Sequence, residues 1–355
     1  MTNHLLNHII YLLIGAYTSG TSEGISVYKF NIRTGDSEPV SSVKVENPSY
    51  LTVINNKYVY AVSENKDSTA CTNAFIFDFQ KESLKHINSE KTNGASPCYI
   101  HTDNANRLAA TANYRGGSIS IFEIQSDGSI SKVKQLIEFN GSGPDPERQL
   151  SPHVHCVKFS PDGKYLFATD LGTDYLYRFT IQQKEPFIDE ASLKKFKVLA
   201  GAGPRHFKFH PSGKTAYLIN ELSGTLTSFH YKNGTLEEFQ SIEADPLHAR
   251  GSADIAITPD GRYLYASNRL KGDGIAVFSI SRKGKLEKKG YQYTGIHPRN
   301  MMITPNGKFL LVACKDSHTI EVYEIDYHTG LLKNIHKDIK INMPVCIKFM
   351  HPKSL

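Results

Sequence analysis

The sequence predicts an all-β protein, a single seven-bladed β-propeller domain over residues 1–355. Three observations predict this fold: the length of the chain, its composition, and a hairpin motif that recurs along it. A chain of 355 residues exceeds what one hydrophobic core normally serves, which favours a core shared among repeated units. With 19 tyrosines, 18 phenylalanines and 26 glycines, the composition suits short strands and tight turns. The absence of tryptophan argues against WD-type repeats, whose signature requires it.

The recurring motif is a β-hairpin whose turn reads Pro, then Asp, Ser or Asn, then Gly. Proline fixes φ for the turn and glycine accepts a positive φ, while aromatic and β-branched residues flank the turn. The clear copies are Phe159–Leu166, Phe209–Lys214, Ile257–Leu264 and Ile303–Leu310, and weaker ones lie at Tyr50–Val62 and Tyr99–Ala112. Further short strands follow each hairpin and give about four strands per unit, which is the make-up of a propeller blade.

Seven residues mark the starts of these units, at intervals of 46 to 55 residues: Asn47, Ser96, Ser151, Gly203, Gly251, His297 and Met343. The last start is followed by one strand only, Val345–Pro352. The strands that this unit lacks are found at the other end of the chain, in Ile9–Tyr17 and Ile25–Phe30. We therefore expect the two ends of the chain to pair in one blade, which leaves no open sheet edge.

Positions counted from the turn proline predict which side chains meet at one mouth of the central channel. First strands begin and second strands end at the same mouth, because the two strands are antiparallel. Six residues before the proline stand His155, Arg205, Ala253, Arg299 and Cys346. Nine and ten residues after it stand Asp170 and Leu171, Asn220 and Glu221, Asn268 and Arg269, and Cys314 and Lys315. Strand alternation adds His153 to the face of His155, whereas His206 and His210 are interpreted as packing or exposed residues.

The net charge and the cysteine content limit the classes of ligand and partner that this protein is expected to bind. The net charge of +6 arises from 41 basic and 35 acidic residues that are spread along the chain, so we expect a small anionic ligand and no nucleic acid. The five scattered cysteines have no CxxC spacing, which indicates neither a disulfide framework nor a zinc site and favours a reducing, cytoplasmic compartment. The apolar run Ile9–Ile14 is too short to cross a membrane. We expect no membrane partner, and a monomer or weak dimer.

The chemistry of the predicted mouth suits an ester or lactone bearing negative charge. Guanidinium groups bind carboxylate or phosphate, and a glutamate or histidine beside them can accept a proton from water. A covalent mechanism is disfavoured, because no GxSxG motif is present and alternation puts His155 and Cys156 on opposite strand faces. Two histidines at i and i+2 would need a third metal ligand among mostly cationic neighbours, so we expect no metal and no other cofactor.

Several motifs resemble the propeller lactonase family, which includes the propeller-type 6-phosphogluconolactonases and the fungal 3-carboxy-cis,cis-muconate lactonizing enzymes. The motifs are Ser151–His155, Phe159–Lys164, Asp170–Asp174, Gly203–His206, Asn220–Ser223 and Ser267–Arg269, and the resemblance spans all seven repeats. The loop at 141–149 is also similar to the family's segment before the corresponding strand, which adds Arg148 and Gln149 to the candidates.

The resemblance implies roles for residues of this sequence. The family's active-site histidine maps to His153 or His155, and its second arginine to Arg269 or Arg299. The implied catalytic residues are His155, Arg205, Glu221 and Arg269. The implied substrate-binding residues are His153, Asp170, Asn220, Asn268, Arg299, Arg148 and Gln149.

The activity that the resemblance implies is hydrolysis of a phosphorylated sugar lactone. The arginines would hold the phosphate and polarise the carbonyl group, while Glu221 or His155 would activate water. Two alternatives remain open: cycloisomerisation of a muconate-like dicarboxylate on the same fold, and a non-catalytic binding or scaffold propeller.

Overall fold

The computed structural model describes residues 8–352, which form seven small antiparallel sheets. In chain order the strands are β1 (Ile9–Ala16), β2 (Gly24–Asn31), β3 (Ser37–Lys44), β4 (Leu51–Ile54), β5 (Tyr58–Ser63), β6 (Cys71–Asp78), β7 (Ser83–Lys91), β8 (Pro97–Thr102), β9 (Leu108–Asn113), β10 (Ser118–Glu123), β11 (Gln135–Glu138), β12 (Val154–Phe159), β13 (Tyr165–Asp170), β14 (Tyr175–Ile181), β15 (Ile188–Lys197), β16 (Pro204–Phe209), β17 (Thr215–Asn220), β18 (Thr225–Lys232), β19 (Thr235–Glu243), β20 (Ile255–Ile257), β21 (Tyr263–Asn268), β22 (Gly274–Ile280), β23 (Leu286–Tyr293), β24 (Pro298–Ile303), β25 (Phe309–Cys314), β26 (Thr319–Ile325), β27 (Leu332–Asn334), β28 (Ile339–Lys340) and β29 (Pro344–Met350). Within the described range, no helix is long and apolar enough to cross a membrane.

The sheets are the blades of a seven-bladed β-propeller, as predicted. Blade 1 has the strand order β29-β1-β2-β3, so the two ends of the chain pair and close the ring. Blades 2 to 6 are β4–β7, β8–β11, β12–β15, β16–β19 and β20–β23. Blade 7 contains β24–β26, and its outer strand is split into β27 and β28, which both pair with β26. The prediction of end-to-end closure is confirmed.

The predicted turn chemistry accounts for the hairpins between first and second strands. The turn glycines Gly163, Gly213, Gly261 and Gly307 have φ values of 68°, 68°, 74° and 72°, a region that suits glycine. The two copies without proline also form hairpins, because β4 pairs with β5 and β8 with β9. The weaker sequence copies therefore specify the same structure.

Tyrosines of second strands fasten neighbouring blades together. Tyr60 of blade 2 is buried and donates its hydroxyl hydrogen to the carbonyl oxygen of Gly128 in blade 3 at 2.9 Å. Tyr217 and Tyr265 make the equivalent bonds, at 2.8 and 2.9 Å, to glycine carbonyls of the next blades. A buried phenol needs such a partner, so the repeat explains part of the high tyrosine content.

A β-bulge recurs near the start of the first strand and decides what faces the channel. In blades 1, 3, 4, 5 and 7 one residue is skipped in the pairing of the first strand with the second: Val345, Cys98, His155, Arg205 and Arg299. A bulge leaves the extra residue unpaired and turns its side chain away from the regular alternation. Both Arg205 and the following His206 consequently line the same central cavity. Simple alternation, used above to place His153 on the face of His155, does not hold at this point of the strand.

Candidate active site

Two rings of equivalent residues build the mouth of the channel. The inner ring is formed by the bulge level of the first strands: Ser49, Cys98, His155, Arg205, Ala253, Arg299 and Val345. The outer ring is formed by the residues that directly follow the second strands: Tyr17, Glu64, Tyr114, Leu171, Glu221, Arg269 and Lys315. The blade 1 member of the inner ring is Val345, so the prediction of Cys346 at this position is wrong. One additional residue before Pro352 shifts the count from the turn in that blade.

Glu221 is the centre of an arginine cluster at this mouth. Its Oε2 lies 2.7 Å from Arg205 Nε and 3.4 Å from an Arg269 terminal nitrogen, and its Oε1 lies 2.7 Å from a terminal nitrogen of Arg148. Burial alone would raise the pKa of Glu221, but the guanidiniums of Arg269, Arg205 and Arg148 outweigh it and lower the pKa to about 2. Glu221 is therefore ionised and has both oxygens occupied, which makes it a poor proton acceptor at neutral pH.

Arg205 joins two blades beneath this cluster. It is 1% exposed, and besides Glu221 it donates to the backbone carbonyl oxygen of Ala253 in the next blade. Its terminal nitrogen also lies 3.3 Å from His206 Nε2, while His206 Nδ1 lies 2.8 Å from a carboxylate oxygen of Asp254. Burial and the charge of Arg205 lower the pKa of His206 to about 3, so this imidazole is neutral.

Arg148 reaches the cluster from the loop before blade 4. The neighbouring Gln149 is buried and donates to the carbonyl oxygen of Leu171 and to a carboxylate oxygen of Asp174, both at 2.7 Å. Its Oε1 accepts the backbone N–H of Asp145 at 3.1 Å. These bonds fix the loop, and Arg148 keeps 35% of its side chain exposed. Arg148 is thus the arginine of the cluster that is most accessible to a ligand.

A second ion-pair group lies across the mouth around Arg299. A terminal nitrogen of Arg299 lies 3.6 Å from Glu64 Oε2, and the Tyr17 hydroxyl donates to the same oxygen at 2.8 Å. The Arg299 guanidinium carbon also lies 5.5 Å from the centre of the Tyr17 ring. Arg269 and Arg299 therefore do not compete for one position, since each has its own carboxylate at the mouth.

The two predicted histidines flank the ring of Tyr114. His153 stacks on it with ring centres 4.5 Å apart, and His155 contacts it edge-on at 5.3 Å. His153 Nδ1 lies 3.0 Å from the Tyr114 carbonyl oxygen, which only accepts, so the neutral ring carries its hydrogen on Nδ1 and leaves Nε2 as an acceptor. His155 is 6% exposed. Its burial, with Arg205 nearby, holds its pKa well below the usual range.

Four of the predicted substrate-binding residues serve the framework of the mouth. The carboxylate of Asp170 accepts the backbone N–H groups of His153 at 2.6 Å and Gly172 at 2.9 Å. Asn220 bonds to groups of its own hairpin. Asn268 accepts the Ser252 hydroxyl and donates to the carbonyl oxygen of Ala244, both in the segment that joins blade 5 to blade 6. Asp170, Asn220, Asn268 and Gln149 are at most 1% exposed, so direct substrate contact gains no support for any of them. Their contacts hold the outer ring in place.

Sequence reasoning missed three mouth residues, Tyr17, Glu64 and Tyr114. Each occupies the outer-ring position that Glu221 and Arg269 occupy in their blades. Counting from the turn proline could not find them, because their hairpins lack that proline or begin near the N-terminus. The signal that could have found them is the end of each predicted second strand.

The channel narrows directly below the inner ring. The cavity bounded there by His155, Arg205, His206 and Arg299 has a volume of about 10 Å³. That is about the room needed for one water molecule. A sugar-sized ligand must therefore bind above the inner ring, against the outer ring and the loop of Arg148.

Comparison with known proteins agrees with this architecture. Residues 11–349 match the family described as Lactonase, 7-bladed beta-propeller. The chain belongs to this family. It is 37% identical over 345 residues to a 6-phosphogluconolactonase of Formosa agariphila, with 93% of this chain and 97% of the relative covered.

Solved structures of the lactonase propellers superpose closely on this chain. A candidate 6-phosphogluconolactonase of Bacteroides fragilis shows a TM-score of 0.94 and 51% identity, with 97% and 98% of the two chains covered. A periplasmic gluconolactonase of Pseudomonas aeruginosa shows a TM-score of 0.90 and 30% identity, with 97% of this chain and 100% of that chain covered. The resemblance drawn from sequence motifs is thereby confirmed at the level of the family.

Proposed function

We propose that this protein hydrolyses a phosphorylated sugar lactone, of the kind 6-phospho-D-glucono-1,5-lactone, at the mouth that contains Arg148, Arg205, Arg269 and Arg299. The observation that carries the proposal is the convergence of these four guanidiniums, to which Glu221 and Glu64 are the only carboxylates bonded among residues 8–352. The excess positive charge suits a phosphate dianion. The family membership and the relatives named 6-phosphogluconolactonase support the same substrate class.

The proposed reaction needs one proton acceptor and stabilisation of one oxyanion. Water attacks the lactone carbonyl carbon and gives up a proton, which leaves a tetrahedral intermediate with negative charge on the former carbonyl oxygen. The bond from that carbon to the ring oxygen then breaks, the ring oxygen takes up a proton, and a hydroxy acid is released. A general base contributes about 10²–10⁴-fold to such a step.

His153 is the side chain best suited to accept the proton. Its Nε2 is a free acceptor in the neutral ring, the side chain is half-buried rather than closed off, and its orientation is fixed by Tyr114. Glu221 is unsuited because three arginines stabilise its charged form. Protonation of His155 is opposed by burial and by Arg205, so we assign it to contact with the substrate as a neutral group.

In this proposal the arginines bind different anionic groups of the substrate. Arg148, the most exposed of the cluster, is placed to bind the phosphate, and Arg269 and Arg299 flank the developing oxyanion. Arg205 is buried and bound to Glu221 and to the Ala253 backbone, so it acts by positioning Glu221. Fixed donors of this kind stabilise negative charge that develops in the transition state.

The test is release of 6-phosphogluconate above the uncatalysed rate, with unphosphorylated glucono-1,5-lactone as the matched substrate. We expect the phosphorylated lactone to be preferred, and Arg148→Met to raise its KM at least tenfold without a comparable effect on the unphosphorylated lactone. Arg282, an exposed residue of the β22–β23 turn, provides the control variant Arg282→Met. Hydrolysis of the unphosphorylated lactone alone would contradict the assignment of phosphate to Arg148, and inactivity on both would contradict lactone hydrolysis.

A further inference from the structure

The end of the channel opposite the arginines carries a second cluster of positive charge. One level below the inner ring, the first strands contribute Tyr50, Tyr99, Cys156, His206, Asp254, Asn300 and Cys346. These side chains meet across the channel, as the Tyr50 and His206 rings do with centres 6.1 Å apart. Two residues further along each strand, on the same face, stand Thr52, His101, Lys158, Lys208, Ala256, Met302 and Lys348. Four of these seven are basic and none is acidic.

The three lysines lie close enough to act on one another electrostatically, and they have no carboxylate partner among residues 8–352. Lys158 Nζ lies 2.8 Å from His101 Nε2, and Lys348 Nζ lies 3.4 Å from the Tyr50 hydroxyl and 4.4 Å from the centre of its ring. Among residues 8–352, no Asp or Glu oxygen lies within 4.0 Å of any of the three ammonium groups. The cluster therefore keeps a net positive charge that the protein itself does not neutralise.

Asp254, the one carboxylate at these two levels of the described first strands, is already occupied by other donors. Asp254 Oδ1 lies 2.8 Å from His206 Nδ1, and its Oδ2 accepts hydrogens from the Asn300 amide at 2.7 Å and from the Met301 backbone at 3.0 Å. Asp254 attracts the lysines from a distance without forming an ion pair with them. The ammonium groups of the cluster can therefore pair with an anion only if one from outside the protein is bound there.

The lysines are also half-buried, which makes their mutual repulsion costly. Burial lowers the pKa of Lys158 to about 7. The positive charges of Lys208 and Lys348 lower this pKa further, whereas Cys156 and Asp254 oppose the shift. Burial likewise lowers the pKa of Lys208, with Lys348 contributing. Buried charge of one sign is stabilised when a counter-charge is held close by.

We propose that this end of the channel, the lysine mouth formed by Lys158, Lys208 and Lys348, is a binding site for a phosphate-class oxyanion, separate from the arginine mouth. Three ammonium groups from blades 4, 5 and 1 present point charges from different directions, which suits a compact ion with several equivalent oxygens. Thr52 of blade 2 stands at the same level of its first strand. The proposal does not depend on the activity proposed above, because none of these residues belongs to the arginine mouth.

The test uses thermal unfolding of the full chain in inorganic phosphate, compared with chloride at equal ionic strength. For a dissociation constant of about 1 mM, about 50 mM phosphate should raise the Tm of the wild type by about 3 °C. Lys158→Met/Lys208→Met should unfold at a higher temperature than the wild type without phosphate, because repulsion is relieved. In the Arg148→Met background, which removes phosphate binding at the arginine mouth, the same two changes should abolish the phosphate-dependent rise in Tm. Lys288→Met, at an exposed lysine of β23, should respond as the wild type does.

Two further variants separate the lysine mouth from the arginine mouth. Arg148→Met should keep the phosphate-dependent rise in Tm, and the double lysine variant should keep lactonase activity. A wild type that responds equally to phosphate and chloride, or a double lysine variant in the Arg148→Met background that retains the phosphate response, would overturn the proposal. If the double lysine variant does not fold, broadening of the phosphate ³¹P signal is compared between Arg148→Met and Arg148→Met/Lys208→Gln, and equal broadening would also overturn the proposal.

Discussion

Replacement of Glu221 by glutamine tests whether one carboxylate organises the arginine mouth. The pKa of Glu221 falls from 4.5 to about 2 in the folded protein. Each pKa unit corresponds to about 1.4 kcal/mol, so the ionised form stabilises the fold by about 3 kcal/mol. Unfolding a chain of this length carries an entropy of about 0.7 kcal/mol per kelvin, so we expect Glu221→Gln to lower Tm by about 4 °C.

The pH dependence of that difference identifies its cause. Because the pKa is lower in the folded state, the contribution of Glu221 is complete above the unfolded value of 4.5 and is lost as pH falls through about 2. The Tm difference between wild type and variant should stay constant from about pH 8 to about pH 5 and narrow on further acidification. Scanning calorimetry measures it, with Glu287→Gln at a 74% exposed side chain as the control.

The variant should also lose activity, because its three arginines no longer share a counter-charge and Arg148 is released from its fixed position. We expect kcat to fall at least tenfold, measured as lactone hydrolysis above the uncatalysed rate. A variant with unchanged Tm at neutral pH and unchanged kcat would refute the reasoning that Glu221 holds the cluster together. A loss of kcat with unchanged Tm would instead indicate a direct chemical role.

Three other changes test separate parts of the site. His153→Gln should lower kcat by about 10²–10⁴-fold if Nε2 is the general base, whereas His155→Gln should mainly raise KM; steady-state kinetics distinguish the two, and reversed effects would exchange their roles. Arg148→Lys should retain the charge but lose the bidentate geometry, so a KM for phosphorylated lactone closer to that of Arg148→Met than to that of the wild type is expected. Gly172→Ala should lower Tm, because an added Cβ would lie 1.9 Å from a backbone carbonyl oxygen of the loop before β12; an unchanged Tm would show that this loop can move.

The fold was predictable because the same hairpin motif recurs several times in the sequence. Pro-Asp-Gly and related turns fix local geometry, and the positions of Gly163, Gly261 and Gly307 follow directly from them. Closure by pairing β29 with β1 could also be predicted, since an incomplete unit at one end of the chain matched unassigned strands at the other.

The site was only partly predictable because it depends on a backbone irregularity. The positions of Arg205, Glu221 and Arg269 followed from the repeat. The bulge at Arg205 could not be predicted, because alternation treats each strand as regular. In blade 1, a bulge and one extra residue before the proline put Val345 at the position where the count predicts Cys346. Pairing among side chains, such as that of Glu64 with Arg299, depends on the ring geometry and cannot be read from spacing alone.

The bulge itself has a partial sequence signal, which suggests how such sites could be found. Five of the predicted blade starts have positive φ: Asn47, Ser96, Gly203, His297 and Met343, and all but Asn47 precede one of the bulges. In all five the next residue is proline, which lacks an N–H group and fits the irregular first position of a strand. In these five blades, a residue with positive φ and a proline therefore come just before the first strand lines the channel. The residue after that proline is the inner-ring residue.

The geometry of the mouth also explains why the last residue of each second strand and the residue after it have different roles. The last strand residue is buried and bonds to the framework, Asn220 within its own blade and Asn268 to the carbonyl oxygen of Ala244 at the end of blade 5. The next residue, Glu221 or Arg269, has left the strand and points to the mouth. Because the framework task is met by the first residue of the pair, the second is free to vary from blade to blade without loss of the fold. The chemistry of this mouth is thus concentrated at positions on which the repeated fold does not depend. The residue after the second strand is charged in some blades, as Glu221 and Arg269 are, and apolar in another, as Leu171 is.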